Sequence, residues 1–173
     1  MLGLTVSTRL SQYSPVNLYF EDVNIGQEIW TESHIVTEND ILIFAEVTRD
    51  RHPLHTDPEY CKKTEFGKPI AHGLFGLSLM EGLKAESRIY EQTSIASLGW
   101  DDVRFLKPLF ADETVCVTFK FLDKRLSRKP GRGVVTEGVK LMRQNREILI
   151  EGTHITLLKC RSNEGDSLGQ DSS

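Results

Sequence analysis

The chain has 173 residues, with 21 Lys and Arg against 25 Asp and Glu and a formal net charge of −4. That length fits one domain with an ordinary core, and the mildly acidic, mixed charge excludes any general electrostatic attraction to nucleic acid or to an anionic membrane. Three cysteines, Cys61, Cys116 and Cys160, without Cys-x-x-Cys spacing, argue against a disulfide framework or a zinc knuckle and fit a reducing compartment.

Residues 1–17 hold Arg9, several Ser and Thr and no acid, a faint echo of an organellar transit peptide, and are expected to be a flexible N-terminal segment. No apolar run reaches membrane-spanning length and no secretory core opens the chain, so a cytoplasmic protein is expected, with an organellar matrix left open. A strand is expected near Glu28 to Val36. Thr37 then reads as a helix cap with acids in the first turn, and Ile41, Phe44, Ala45 and Thr48 follow helical spacing to about Arg49.

The helix delivers Asp50 to a loop, Asp50-Arg51-His52-Pro53-Leu54-His55-Thr56-Asp57-Pro58, which closes on Ile70-Ala71-His72-Gly73. Pro53 disfavours helix at His52, so the backbone turns between Asp50 and His55 and lets both side chains meet one water molecule. One group can take a proton while the other orients the water or returns a proton, as general acid–base chemistry requires. An isolated loop Asp and His would equally serve as a turn cap and a solvated ring.

From Ala71 to about Tyr90, Leu74, Leu77 and Lys84 mark helical turns, while Phe75, Leu79 and Leu83 widen the buried face. Gly73, Gly76 and Gly82 each cost about 1 kcal/mol of helix propensity, which close backbone approach is expected to offset. After Ser94 the period becomes two. Strands are expected near Ser97 to Leu106, Val134 to Arg143 and Ile148 to Leu158. Val115, Val117, Phe119 and Phe121 form the buried face of another, and Asn145-Arg146 make a tight turn. Short turns between strands imply an antiparallel sheet, and the simplest packing of the α+β domain over residues 18–160 wraps that sheet around the long central helix. Residues 161–173 are polar and lack periodicity, so a disordered tail is expected.

The loop resembles the MaoC-like dehydratase and R-specific enoyl-CoA hydratase family, whose signature runs approximately Gly-Asp-x-Asn-Pro-[Leu/Ile/Val]-His, followed by [Ala/Val]-His-Gly. Asp50, Pro53, Leu54, His55, Ala71, His72 and Gly73 fall on that pattern, and the likeness spans roughly Tyr19 to Leu158. Two positions depart from it: Arg49 replaces the usual Gly and His52 the usual Asn. Arg49 is expected to favour ionised Asp50, and His52 to donate a hydrogen bond as Asn would.

The resemblance implies a hot-dog fold, a homodimer or higher homo-oligomer joined edge to edge, and an acyl-CoA thioester substrate with no cofactor. It implies that Asp50 and His55 hold the attacking water, with Asp50 the favoured base. The Gly73 N–H, at a helix N-terminus, would receive the thioester oxygen's developing charge. His72 reads as structural, His34 and His154 as surface or packing residues, and no histidine pair has metal-ligand spacing. Arg128 and Lys129, in a basic loop with Lys124, Arg125 and Arg132, read either as a solvated hairpin or as partners of the coenzyme A phosphates. A thioesterase and a non-catalytic acyl-CoA-binding protein are the alternatives to a hydratase; fold alone does not separate them.

Overall fold

The computed structural model describes residues 16–161; the flexible N-terminal segment and the disordered tail expected from the sequence lie almost wholly outside them. Helix α1 (Glu38–Thr48) begins where expected: Thr37 Oγ1 accepts from the Asp40 N–H and the Asp40 carboxylate accepts from the Thr37 N–H. This reciprocal cap satisfies two N–H groups at the start of the helix. Two short helices follow, α2 (Pro53–Thr56) and α3 (Pro58–Cys61), each opening on a proline. Four-residue turns leave no periodicity to read. Buried Cys61 donates toward the Pro53 and Leu54 carbonyls, pinning α2. The long helix α4 runs Gly73–Glu86.

Strands β1 (Glu28–Trp30), β2 (His34–Ile35), β3 (Ser94–Phe105), β4 (Thr114–Leu126), β5 (Arg132–Arg143) and β6 (Ile148–Lys159) form one antiparallel sheet in the order β1-β4-β5-β6-β3, with β2 also on β4. The strand expected over Glu28 to Val36 is thus in two pieces. Thr31 explains the break, because its own hydroxyl accepts the Val117 N–H. The expected alternation of β4 holds: Val115, Val117, Phe119 and Phe121 are fully buried. They meet Phe75, Met80 and Leu83 of α4 in one core with Val139, Leu141 and Ile150. A sheet curled around a central helix is the hot-dog arrangement.

The site is tied to this frame through main chain. Ala71 N–H donates to the Leu109 carbonyl at 2.7 Å, Ile70 N–H to the Leu54 carbonyl at 3.2 Å, and Ile70 pairs with Phe110 in an isolated bridge. At the outer edge, β3 carries three irregularities and exposes Ile95, Leu98 and Phe105. Among the described residues no helix is long and apolar enough to cross a membrane.

Candidate active site

α1 ends on Arg49 in the left-handed conformation, φ 65°, which turns the chain sharply and presents Asp50. Asp50 is exposed, and its backbone carbonyl accepts from His72 Nε2 at 2.8 Å. His52 is extended at φ −58°, ψ 136°, as a residue before proline should be, and its Nδ1 accepts from the Leu54 N–H at 3.1 Å. His52 therefore caps α2 as an acceptor; the hydrogen bond expected from it as a donor is corrected. No ion pair joins Arg49 to Asp50 among the described residues.

His55 lies on α2, half-buried, with Nδ1 2.7 Å from the Ile70 carbonyl. A carbonyl only accepts, so Nδ1 carries the proton and Nε2 presents its lone pair. Burial pushes the His55 pKa down, against the Ile70 hydrogen bond and the charge of Asp50. The ring stacks on His72 at 3.7 Å between centroids. One side-chain atom each from Asp50, His55 and His72 lies within 4.8 Å of the others. The acid and imidazole expected to converge are thus brought together, and a third ring stands beside them.

That trio could also hold a metal ion by distance, a grouping that no sequence spacing signals because it is assembled from two separate segments. The same carbonyl argument places a proton on His72 Nε2, while its buried Nδ1 has no hydrogen-bond partner. The ring thus spends one nitrogen on the Asp50 main chain.

Gly73 is the first residue of α4, so its N–H has no intrahelical acceptor and sits at the positive end of the helix. A Cβ there would lie 2.8 Å from the Phe105 ring, and one at Gly76 only 2.3 Å from Ile150 Cδ1. The close approach expected of the helix glycines is real at these two positions. It fails at Gly82, which faces no heavy atom within 4 Å. A cavity of about 320 Å³ opens at Gly73, lined by His72, Phe105, Lys107, Leu109 and Ile150 among others.

Arg128 and Lys129 are not brought to this site. They stand exposed on the β4–β5 turn, whereas the loop meets the other end of those strands, where Val115 pairs with Arg143 and Arg143 donates to the Pro108 carbonyl. Lys124 of the same basic cluster is taken up by the Phe20, Glu21 and Val23 carbonyls. The sequence reading also missed a buried ionic cluster. Lys84, Glu137 and His154 meet beneath the far end of α4, so His154 is a buried, hydrogen-bonded residue. The signal was present in Glu137, which falls in the inward period-two row Val135, Glu137, Val139, Leu141.

A single hot-dog unit with an acid and an imidazole gathered against His72, the residue that caps α4 and lines the Gly73 cavity, defines a class, and sequence comparison gives it a family. Residues 21–142 match the MaoC like domain, and the chain belongs to that family. It is 39% identical over 67 residues to a 3-hydroxybutyryl-CoA dehydratase of Methylorubrum extorquens, covering 38% of this chain and 41% of that protein. It is 32% identical over 108 residues to nodulation protein N of Rhizobium meliloti, covering 60% and 67%. The chain spans 30% of the length of the Protein MaoC of Klebsiella aerogenes and under half of the dehydratase.

Among solved structures, the monoamine oxidase regulatory protein of Archaeoglobus fulgidus superposes with a TM-score of 0.78 at 36% identity, covering 84% of this chain and 97% of that one. A Mycobacterium tuberculosis protein with a double hot-dog fold superposes at 0.74 and 19% identity, covering 85% of this chain and 46% of its own, which bears on the fold alone.

Proposed function

We propose that the protein hydrates trans-2-enoyl thioesters and, in reverse, dehydrates R-3-hydroxyacyl thioesters, with coenzyme A as the carrier. The observation that carries this reading is the approach of a His55 ring nitrogen and an Asp50 carboxylate oxygen to within 4.8 Å, on a ring whose Nδ1 is engaged by the Ile70 carbonyl and whose Nε2 is left to accept. Both are acceptors, and a water molecule has two hydrogens to give them. A lone pair on its oxygen is then free to attack the β-carbon. Asp50 takes one proton as the C–O bond forms, His55 holds the other hydrogen, and the proton on Asp50 passes to the α-carbon of the enolate. The Gly73 N–H stabilises the enolate oxygen, in a cavity whose apolar walls strengthen that bond relative to water. The 3-hydroxybutyryl-CoA dehydratase relative supports this chemistry.

Turnover of crotonyl-CoA, followed by loss of its enoyl absorbance, tests the reading. Asp50→Asn and His55→Gln are each expected to lower kcat by about a hundredfold or more, the usual scale of one positioned acid–base group. Full activity in both variants would remove the dyad. Release of free thiol without hydration would instead favour a thioesterase. Lys107 lines the Gly73 cavity and is the cation placed to meet a coenzyme A phosphate from within the chain. Arg128 and Lys129 would meet one only from a second copy, which fits a homodimer built on the open edge of β3.

A further inference from the structure

The buried ionic cluster takes no part in the chemistry above. Glu137 is fully buried on β5; its Oε2 accepts from Lys84 Nζ and lies 3.0 Å from His154 Nδ1, and its Oε1 accepts from Tyr90 Oη at 2.7 Å. On its other side, His154 Nε2 lies 2.8 Å from Ser97 Oγ of β3. Burying an ammonium, a carboxylate and an imidazole together is costly, and Lys84 and His154 are each only 3% exposed. Such groups converging on a largely apolar cavity mark a ligand site.

The cavity is there. It has a volume of about 300 Å³ and is lined by Glu81, Lys84, Ala85, Tyr90, Ser97 and His154 among others. Glu81 supplies an independent observation: its Oε1 is buried and makes no hydrogen bond, although His154 Nε2 is 3.3 Å and Lys84 Nζ 3.8 Å away. A methyl group placed there would leave this oxygen unpaired. A carboxylate would be repelled, because Glu81 and Glu137 already match Lys84 and even a charged His154. A hydroxyl can donate to Glu81 Oε1 and accept from Ser97 Oγ.

We propose that this cavity is a second ligand site, which takes the hydroxyl-bearing end of an aliphatic chain between Glu81 and Ser97. Such a chain has two sources. One is the acyl tail of a thioester held at Gly73, since the two cavities lie at opposite ends of α4, about 16 Å apart by helical rise, with Ile150 of β6 in one and His154 of β6 in the other. This source rests on the hydratase reading. The other is a free aliphatic alcohol, which does not.

Two measurements on the full chain separate them. In an NMR titration with 1-octanol, saturable shifts at Ser97 and His154 are expected, with affinity about tenfold weaker in Glu81→Gln and in Ser97→Ala, the scale of one hydrogen bond to a charged group. In turnover of 2-enoyl-CoA thioesters of equal length ending in methyl, hydroxyl or carboxylate, the hydroxyl end is expected to raise kcat/KM about tenfold over methyl. Glu81→Gln is expected to abolish that preference and leave crotonyl-CoA turnover unchanged. Octanol binding that depends on Glu81 supports the free ligand, and an end-group preference that depends on Glu81 supports the acyl tail. Absence of both overturns the site. If no thioester is turned over, the hydratase reading fails by itself and the octanol titration decides.

Discussion

Arg49 holds a backbone conformation that suits glycine, φ 65°, and makes no ion pair with the acid beside it among the described residues. A side chain in the left-handed region is strained by about 1 kcal/mol or more, so Arg49→Gly is expected to raise stability by about 1 kcal/mol, read as a higher urea midpoint. A lower midpoint would show that the arginine contributes a contact that outweighs the strain. At His55 the sign of the pH effect follows from burial, which lowers its pKa in the folded chain. As pH falls, the unfolded chain binds this proton first, so stability contributed by neutral His55 declines from the ordinary imidazole range downward. On the proposed hydratase reading, activity is expected to be lost lower still, when the folded imidazole itself protonates and Nε2 ceases to accept. The acid limb of kcat/KM is therefore expected below the range of an ordinary histidine, and an NMR titration of the His55 ring should give the same midpoint.

Along α4 the glycines divide by what they face. Gly76→Ala drives a Cβ to 2.3 Å from Ile150 Cδ1, and the expected cost is about 1–3 kcal/mol for overpacking. Gly82→Ala meets nothing within 4 Å and is expected to stabilise by about 1 kcal/mol through helix propensity. Paired thermal melts check both, and equal effects would mean that packing does not distinguish the positions.

The long elements were legible because their periods are long enough to count: Thr37 starts α1, and alternate Val115, Val117, Phe119 and Phe121 mark β4. What stayed hidden depends on contacts between distant segments. A four-residue α2 has no period, Thr31 breaks a strand by a side-chain hydrogen bond, and the hold of His72 on the Asp50 carbonyl joins residues 22 apart. The Asp50–His55 pair was legible as a motif, but not that His55 would present Nε2, which is decided by the Ile70 carbonyl.

For the molecule as a whole, β3 is an outer edge of the sheet, with Ile95, Leu98 and Phe105 exposed, an apolar edge that invites pairing with another strand. Self-association is expected to run through it, and Leu98→Asp is expected to shift the sedimentation coefficient toward that of a monomer at micromolar concentration. An unchanged coefficient would place the contact elsewhere. Main-chain carbonyls also fix the candidate site, that of Leu109 on Ala71, that of Leu54 on Ile70 and that of Asp50 on His72. None of these three bonds uses the carboxylate at position 50. The scaffold thus supplies a socket whose location is independent of the group plugged into it, so the side chain at position 50 can be exchanged without rebuilding the loop that carries it.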